Sequence, residues 1–88
     1  MPRYYITDLS ITYEEGLPED GWFIDGEGNI VHECETQQEF VDSLLYNIGV
    51  AIQEGDYTNR DDAFKNLMPK IKKDGYVEVN GFGFSIEN

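Results

Sequence analysis

The sequence predicts an α+β fold of two layers, an antiparallel sheet of about five strands with two helices on one face, in the order βββααββ. Three observations lead there. Thr36 to Gly55, TQQEFVDSLLYNIGVAIQEG, has the clearest helical periodicity in the chain. At 100° per residue its Phe40, Val41, Leu44, Leu45, Ile48, Ala51 and Ile52 fall within an arc of about 140°. Tyr76 to Glu87, YVEVNGFGFSIE, alternates on either side of Asn80-Gly81, a pair suited to a type I′ hairpin turn. Both segments, and a weaker helix between them, have a single apolar face, and one two-layer core satisfies all three.

Residues 3–13, RYYITDLSITY, read as the first strand. Tyr5, Thr7, Leu9, Ile11 and Tyr13 alternate with Tyr4, Ile6, Asp8, Ser10 and Thr12, and the first set is expected to face the core. Glu14 to Gly21, EEGLPEDG, reads as a loop. Trp22 to Asp25 and Ile30 to Glu33 form the arms of a hairpin around Gly26-Glu27-Gly28-Asn29. On its second arm Ile30, His32 and Cys34 share one face and Val31, Glu33 and Glu35 the other.

Thr36 and Glu39 make a capping box at the start of the main helix, and Gly55 supplies a left-handed stop. A second helix starts near Arg60, capped by Thr58 or Asn59, with Asp61 and Asp62 where the helix dipole favours acids. Its Ala63, Phe64, Leu67, Met68 and Ile71 again share an arc of about 140°. Pro69 lies on the outward side, so a kink around the core is expected in place of a break. Gly75 closes this helix. In the last hairpin the I′ turn pairs Val79 with Phe82 and Val77 with Phe84, and puts all four with Ile86 on one face.

Eighty-eight residues read as one domain, 1–88, burying roughly 60–65% of its unfolded surface. The single cysteine, Cys34, has no intramolecular partner and suits a reducing compartment. With no apolar run near the roughly 20 residues that span a bilayer, and no signal-peptide core at the N-terminus, a cytoplasmic protein is expected.

The net charge of −12 is unevenly placed. Residues 1–56 hold thirteen acids and one base, Arg3, whereas residues 57–88 hold five of each. Such a field repels nucleic acid and anionic membrane and steers basic partners in. Direct nucleic-acid binding, which needs Lys and Arg on phosphates, is excluded on this reading. A globule of this length is about 30 Å across, so twelve charges amount to about one per 2.5 Å, against one per about 1.7 Å of duplex DNA axis. The plain alternative is a solvated face that only promotes solubility, with Glu35, Glu39 and Asp42 also favouring the first turns of the main helix.

No catalytic signature is present. Asp25-Gly26-Glu27-Gly28-Asn29 resembles part of a calcium loop, but aligning Gly28 with its invariant glycine puts Phe23 on the first ligand position and Cys34 on the last, which breaks it. His32 and Cys34 share a strand face and could pair thiolate with imidazolium, yet two ligands are too few for a structural zinc site. The expectation is therefore no enzyme activity, no metal and no cofactor. Tyr46 and Val50 lie one turn apart on the outer side of the main helix. They read either as an aromatic anchor with an acidic rim or as contacts under the second helix.

Small size, strong acidity, an α+β pattern and the lack of a catalytic motif resemble phage-encoded inhibitors that mimic DNA, anti-CRISPR proteins among them. Acidic immunity proteins that block nuclease toxins are similar in the same respects. The resemblance rests on bulk properties and carries over no residue. It implies a stoichiometric inhibitor, in the host cytoplasm if phage-encoded, that occupies the basic groove of a nucleic-acid-binding protein or nuclease. The expected partner surface comprises Glu14, Glu15, Glu19, Asp20, Asp25, Glu27, Glu33, Glu35, Glu39 and Asp42, with Tyr46 as anchor. The other readings are an acidic structural or adaptor subunit, and a small enzyme using His32 and Cys34.

Overall fold

Asn80 and Gly81 sit at φ 53° and 79°, the left-handed pair that a type I′ turn requires. The turn fixes Val79 opposite Phe82 and Val77 opposite Phe84, as the alternation predicts. From this hairpin the rest of the sheet takes its sense. The computed structural model describes residues 2–10 and 20–88. Its elements are β1 (Arg3–Asp8), β2 (Trp22–Ile24), β3 (Ile30–Cys34), α1 (Gln37–Gln53), α2 (Arg60–Asp74), β4 (Tyr76–Val79) and β5 (Phe82–Glu87). They form one five-stranded antiparallel sheet in the order β2-β3-β1-β5-β4, with both helices packed on one face, an α+β fold.

The expected core face of β1 is wrong. Ile6 is buried and Tyr4 stacks beside Phe40 with ring centroids 5.2 Å apart, so Tyr4 and Ile6 point at the helices while Tyr5 and Thr7 point away. The cause is cross-strand register: Ile6 lies opposite Phe84, and Tyr4 opposite Ile86. Paired residues share a face, so the β4–β5 turn decides for β1 as well. Leu9 counted towards the wrong set although it lies past the strand end. There Asp8 Oδ1 accepts hydrogen bonds from Ser10 N (2.9 Å) and Oγ (2.6 Å), turning the chain out. Ile11 and Tyr13 lie outside the described residues.

Phe40, Leu44, Ile48 and Ala51 of α1, with Ala63, Met68 and Ile71 of α2, close over Ile6, Cys34, Val77, Val79 and Phe84. Phe40 meets Phe84 edge-on at 5.8 Å. Thr36 caps α1, its Oγ1 accepting from Glu39 N at 3.1 Å. The second half of the expected capping box is not made, because the Glu39 carboxylate turns to His32. Asn59, not Thr58, caps α2, and the helix runs through the exposed Pro69 to Gly75 at φ 85°. Asn47 is buried at 5% exposure in α1. Its Nδ2 donates to Ser43 O and its Oδ1 accepts from Asn80 Nδ2, at 2.9 and 3.0 Å.

Candidate functional site

Among the described residues, two places bring chemistry-bearing side chains together: the open face of the sheet and the junction of β3 with α1.

The open face follows from alternation. Residues opposite the core set form rows across the strands. One row runs Phe23, Val31, Thr7, Gly83, Glu78; the next runs Glu33, Tyr5, Ser85, Tyr76; a third pairs Arg3 with Glu87. Neighbours in such rows sit about 4.5–5.5 Å apart. Tyr5, Thr7, Phe23, Asp25, Val31, Ser85 and Glu87 line an open groove of about 300 Å³. Val31 is buried even here, while Phe23 and Tyr76 stay 44% and 45% exposed. Tyr76 lies over Gly83, where a side chain would collide: a Cβ there would stand 2.7 Å from Tyr76 Cε2. Asp25, Glu33, Glu78 and Glu87 thus surround an apolar strip, with Arg3 as the base on this face among the described residues.

The five other bases, Arg60, Lys65, Lys70, Lys72 and Lys73, are all exposed on α2. These five cations and the sheet's acids therefore occupy different layers of the molecule.

At the β3–α1 junction, His32 and Cys34 project from the core side of β3, two residues apart, and Glu39 reaches them from the first turn of α1. One ligand atom of each lies within 4.8 Å of the other two. His32 Nδ1 bonds the Gly21 carbonyl at 2.8 Å, and Nε2 meets the Glu39 carboxylate. The Trp22 ring lies 5.3 Å from the imidazole. Burial lowers the His32 pKa, but the bonds to Glu39 and Gly21 outweigh it and the net shift is upward. Burial, reinforced by Glu39, pushes the Cys34 thiol up to about 12. The side chain is thus a thiol at neutral pH, not the thiolate that nucleophilic chemistry needs. A groove of about 440 Å³ lined by Arg3, Glu33, Cys34 and Thr36 opens beside it.

The expected partner residues do not share one face. Glu33 lies on the open face, and Glu35 follows it just past the strand. Asp25 and Glu27 sit in the β2–β3 turn. Asp25 Oδ1 accepts from the Glu27 and Asn29 amides, both at 2.9 Å, so its carboxylate holds the turn. Asp20 is exposed just before β2. Glu39 is engaged by His32, and Asp42 accepts from Gln38 Nε2 at 2.8 Å. Tyr46, 71% exposed, stands on the helical layer. Glu14, Glu15 and Glu19 lie outside the described residues.

Sequence reasoning did not place Tyr5, Glu78 and Glu87 in a site, because the inverted face of β1 hid the rows that join them. It also did not bring Glu39 to His32 and Cys34, a contact seven residues apart that only the sharp strand-to-helix junction creates. No protein-family model, curated protein or solved structure matches the chain. No described helix is long and apolar enough to cross a membrane.

Proposed function

We propose that the chain is a non-enzymatic, acidic binding protein that blocks a nucleic-acid-binding protein or nuclease by occupying its basic groove, with the open sheet face as the contact surface. The carrying observation is the separation of charge: Asp25, Glu33, Glu78 and Glu87 stand around an open sheet face that exposes Phe23 and Tyr76, while five of the six bases ride on α2. Complementary fields of this kind set partner choice and approach rate. Phe23 and Tyr76 supply the large apolar contacts that anchor an interface, and the acids its polar rim. The long axis of 35 Å and the net charge of −12 give about one charge per 3 Å, sparser than duplex DNA at one per about 1.7 Å but of the same order.

The test is capture of a basic partner on the immobilised chain at low and high salt, with duplex DNA as competitor. A Glu33→Gln/Glu78→Gln/Glu87→Gln variant is run in parallel. The partner should bind at low salt, leave at high salt, be displaced by DNA and fail to bind the variant. A partner that resists DNA and binds the variant equally well removes the reading.

A further inference from the structure

We infer that His32 Nε2, Cys34 Sγ and a Glu39 carboxylate oxygen form a binding site for one zinc ion at the β3–α1 junction. The donor atoms already converge within 4.8 Å. Tetrahedral zinc, with bonds of about 2.0–2.3 Å, needs them about 3.3–3.6 Å apart. The donors are thus close to these separations, and side-chain torsions can bring them the rest of the way.

Two further observations point to a cation in this place. The imidazole meets two hydrogen-bond acceptors, the Gly21 carbonyl at Nδ1 and the Glu39 carboxylate at Nε2. A carbonyl can only accept, so Nδ1 carries a proton. That leaves Nε2 as the ring nitrogen that faces the Glu39 carboxylate, where a proton or a metal ion can lie between them. The Nδ1–H bond to a backbone carbonyl is also the support that metal-bound histidines regularly have: it fixes the tautomer and aims Nε2. Gly21 presents this carbonyl at φ 87°, a conformation that glycine adopts without a Cβ penalty.

The donor set selects the ion. A thiolate and an imidazole disfavour magnesium and calcium, whereas nitrogen, sulfur and one carboxylate oxygen suit zinc. On binding, the Cys34 thiol proton leaves to solvent and zinc holds the thiolate. With His32 and Glu39 23% and 39% exposed, the fourth position opens to water. The ion would tie the β2–β3 arm to the start of α1, independently of what the open sheet face binds.

The chain has one cysteine and one histidine, so spectroscopic assignment is unambiguous. The full chain, freed of metal by chelator, is titrated with Co²⁺ and then with Zn²⁺. A thiolate-to-cobalt charge-transfer band in the near ultraviolet should saturate at one equivalent, disappear when Zn²⁺ is added, and be absent in Cys34→Ala. His32→Gln and Glu39→Gln, at partly exposed positions, should keep the native far-ultraviolet circular dichroism and weaken Co²⁺ binding by at least about 10-fold. Absence of the band in the unaltered chain overturns the site. So does equal affinity in both the His32 and Glu39 variants.

Discussion

Asn80, at the left-handed first position of the β4–β5 turn, donates its side-chain amide to Oδ1 of Asn47, buried in the middle of α1, at 3.0 Å. One residue thus specifies a turn and anchors that turn to the helical layer. The two roles separate by substitution. Asn80→Gly keeps the backbone conformation but leaves the buried Asn47 Oδ1 without its donor, so it should cost about 1–3 kcal/mol. Asn80→Ala loses the amide and strains a left-handed position, adding about 1 kcal/mol or more. Asn47→Ala should cost about 1–3 kcal/mol, because it also leaves the Asn80 donor without its partner. Urea unfolding of the three variants tests the order; equal effects of the Gly and Ala changes at position 80 would count against the turn role.

The inverted face of β1 gives a second contrast. Ile6→Ala removes a buried side chain opposite Phe84 and should destabilise by about 2–5 kcal/mol. Tyr5→Thr, on the open face, keeps strand propensity and should cost about 1 kcal/mol or less. Were Tyr5 the core residue, as the sequence alone predicts, the order would reverse. Denaturant midpoints at equal m-values decide it.

That one strand also marks the limit of what the sequence discloses. Both helices, the Thr36 cap, the start of α2 after Thr58 or Asn59, the stop at Gly75 and the register at Asn80-Gly81 are legible because each is set by residues within a few positions. The face of β1 is set by its partner β5, some eighty residues away, and β1 itself carries apolar residues on both sides. The same limit applies to the sites. His32 and Cys34 are neighbours by alternation, but Glu39 joins them only through the junction geometry. Asn47 falls near the edge of an apolar arc, and nothing local shows that a turn thirty-three residues later will meet it.

Gly83 offers a way to perturb the open face without disturbing the core. A methyl group there would stand 2.7 Å from Tyr76 Cε2 and 2.9 Å from its hydroxyl, both at the far end of a side chain that is 45% exposed. Gly83→Ala should therefore swing the Tyr76 ring away, with stability changed by no more than about 1 kcal/mol. Binding through the sheet face should weaken, since the ring loses its seat over β5. Unchanged amide shifts around Tyr76 in a heteronuclear NMR spectrum would show that the ring does not respond.

Asp25 gives the fold a pH dependence whose sign can be worked out. Burial alone would raise its pKa, but the hydrogen bonds from Asn29 and the Glu27 amide outweigh it and hold the carboxyl below its ordinary value. A carboxylate depressed in the folded state stabilises the fold above its unfolded pKa of about 3.9, and that stabilisation is lost as pH falls through the folded value. Asp25→Asn keeps an acceptor oxygen for the turn and removes the charge. The variant should therefore be less stable than the parent at pH 7, by an amount that shrinks towards zero as pH falls below about 3. Taking the difference between the two proteins removes the contribution of the other carboxylates, which titrate in both. Urea midpoints at pH 7, 4 and 2.5 measure it. A deficit that stays constant across that range would mean that the turn depends on the shape of the side chain and not on its charge.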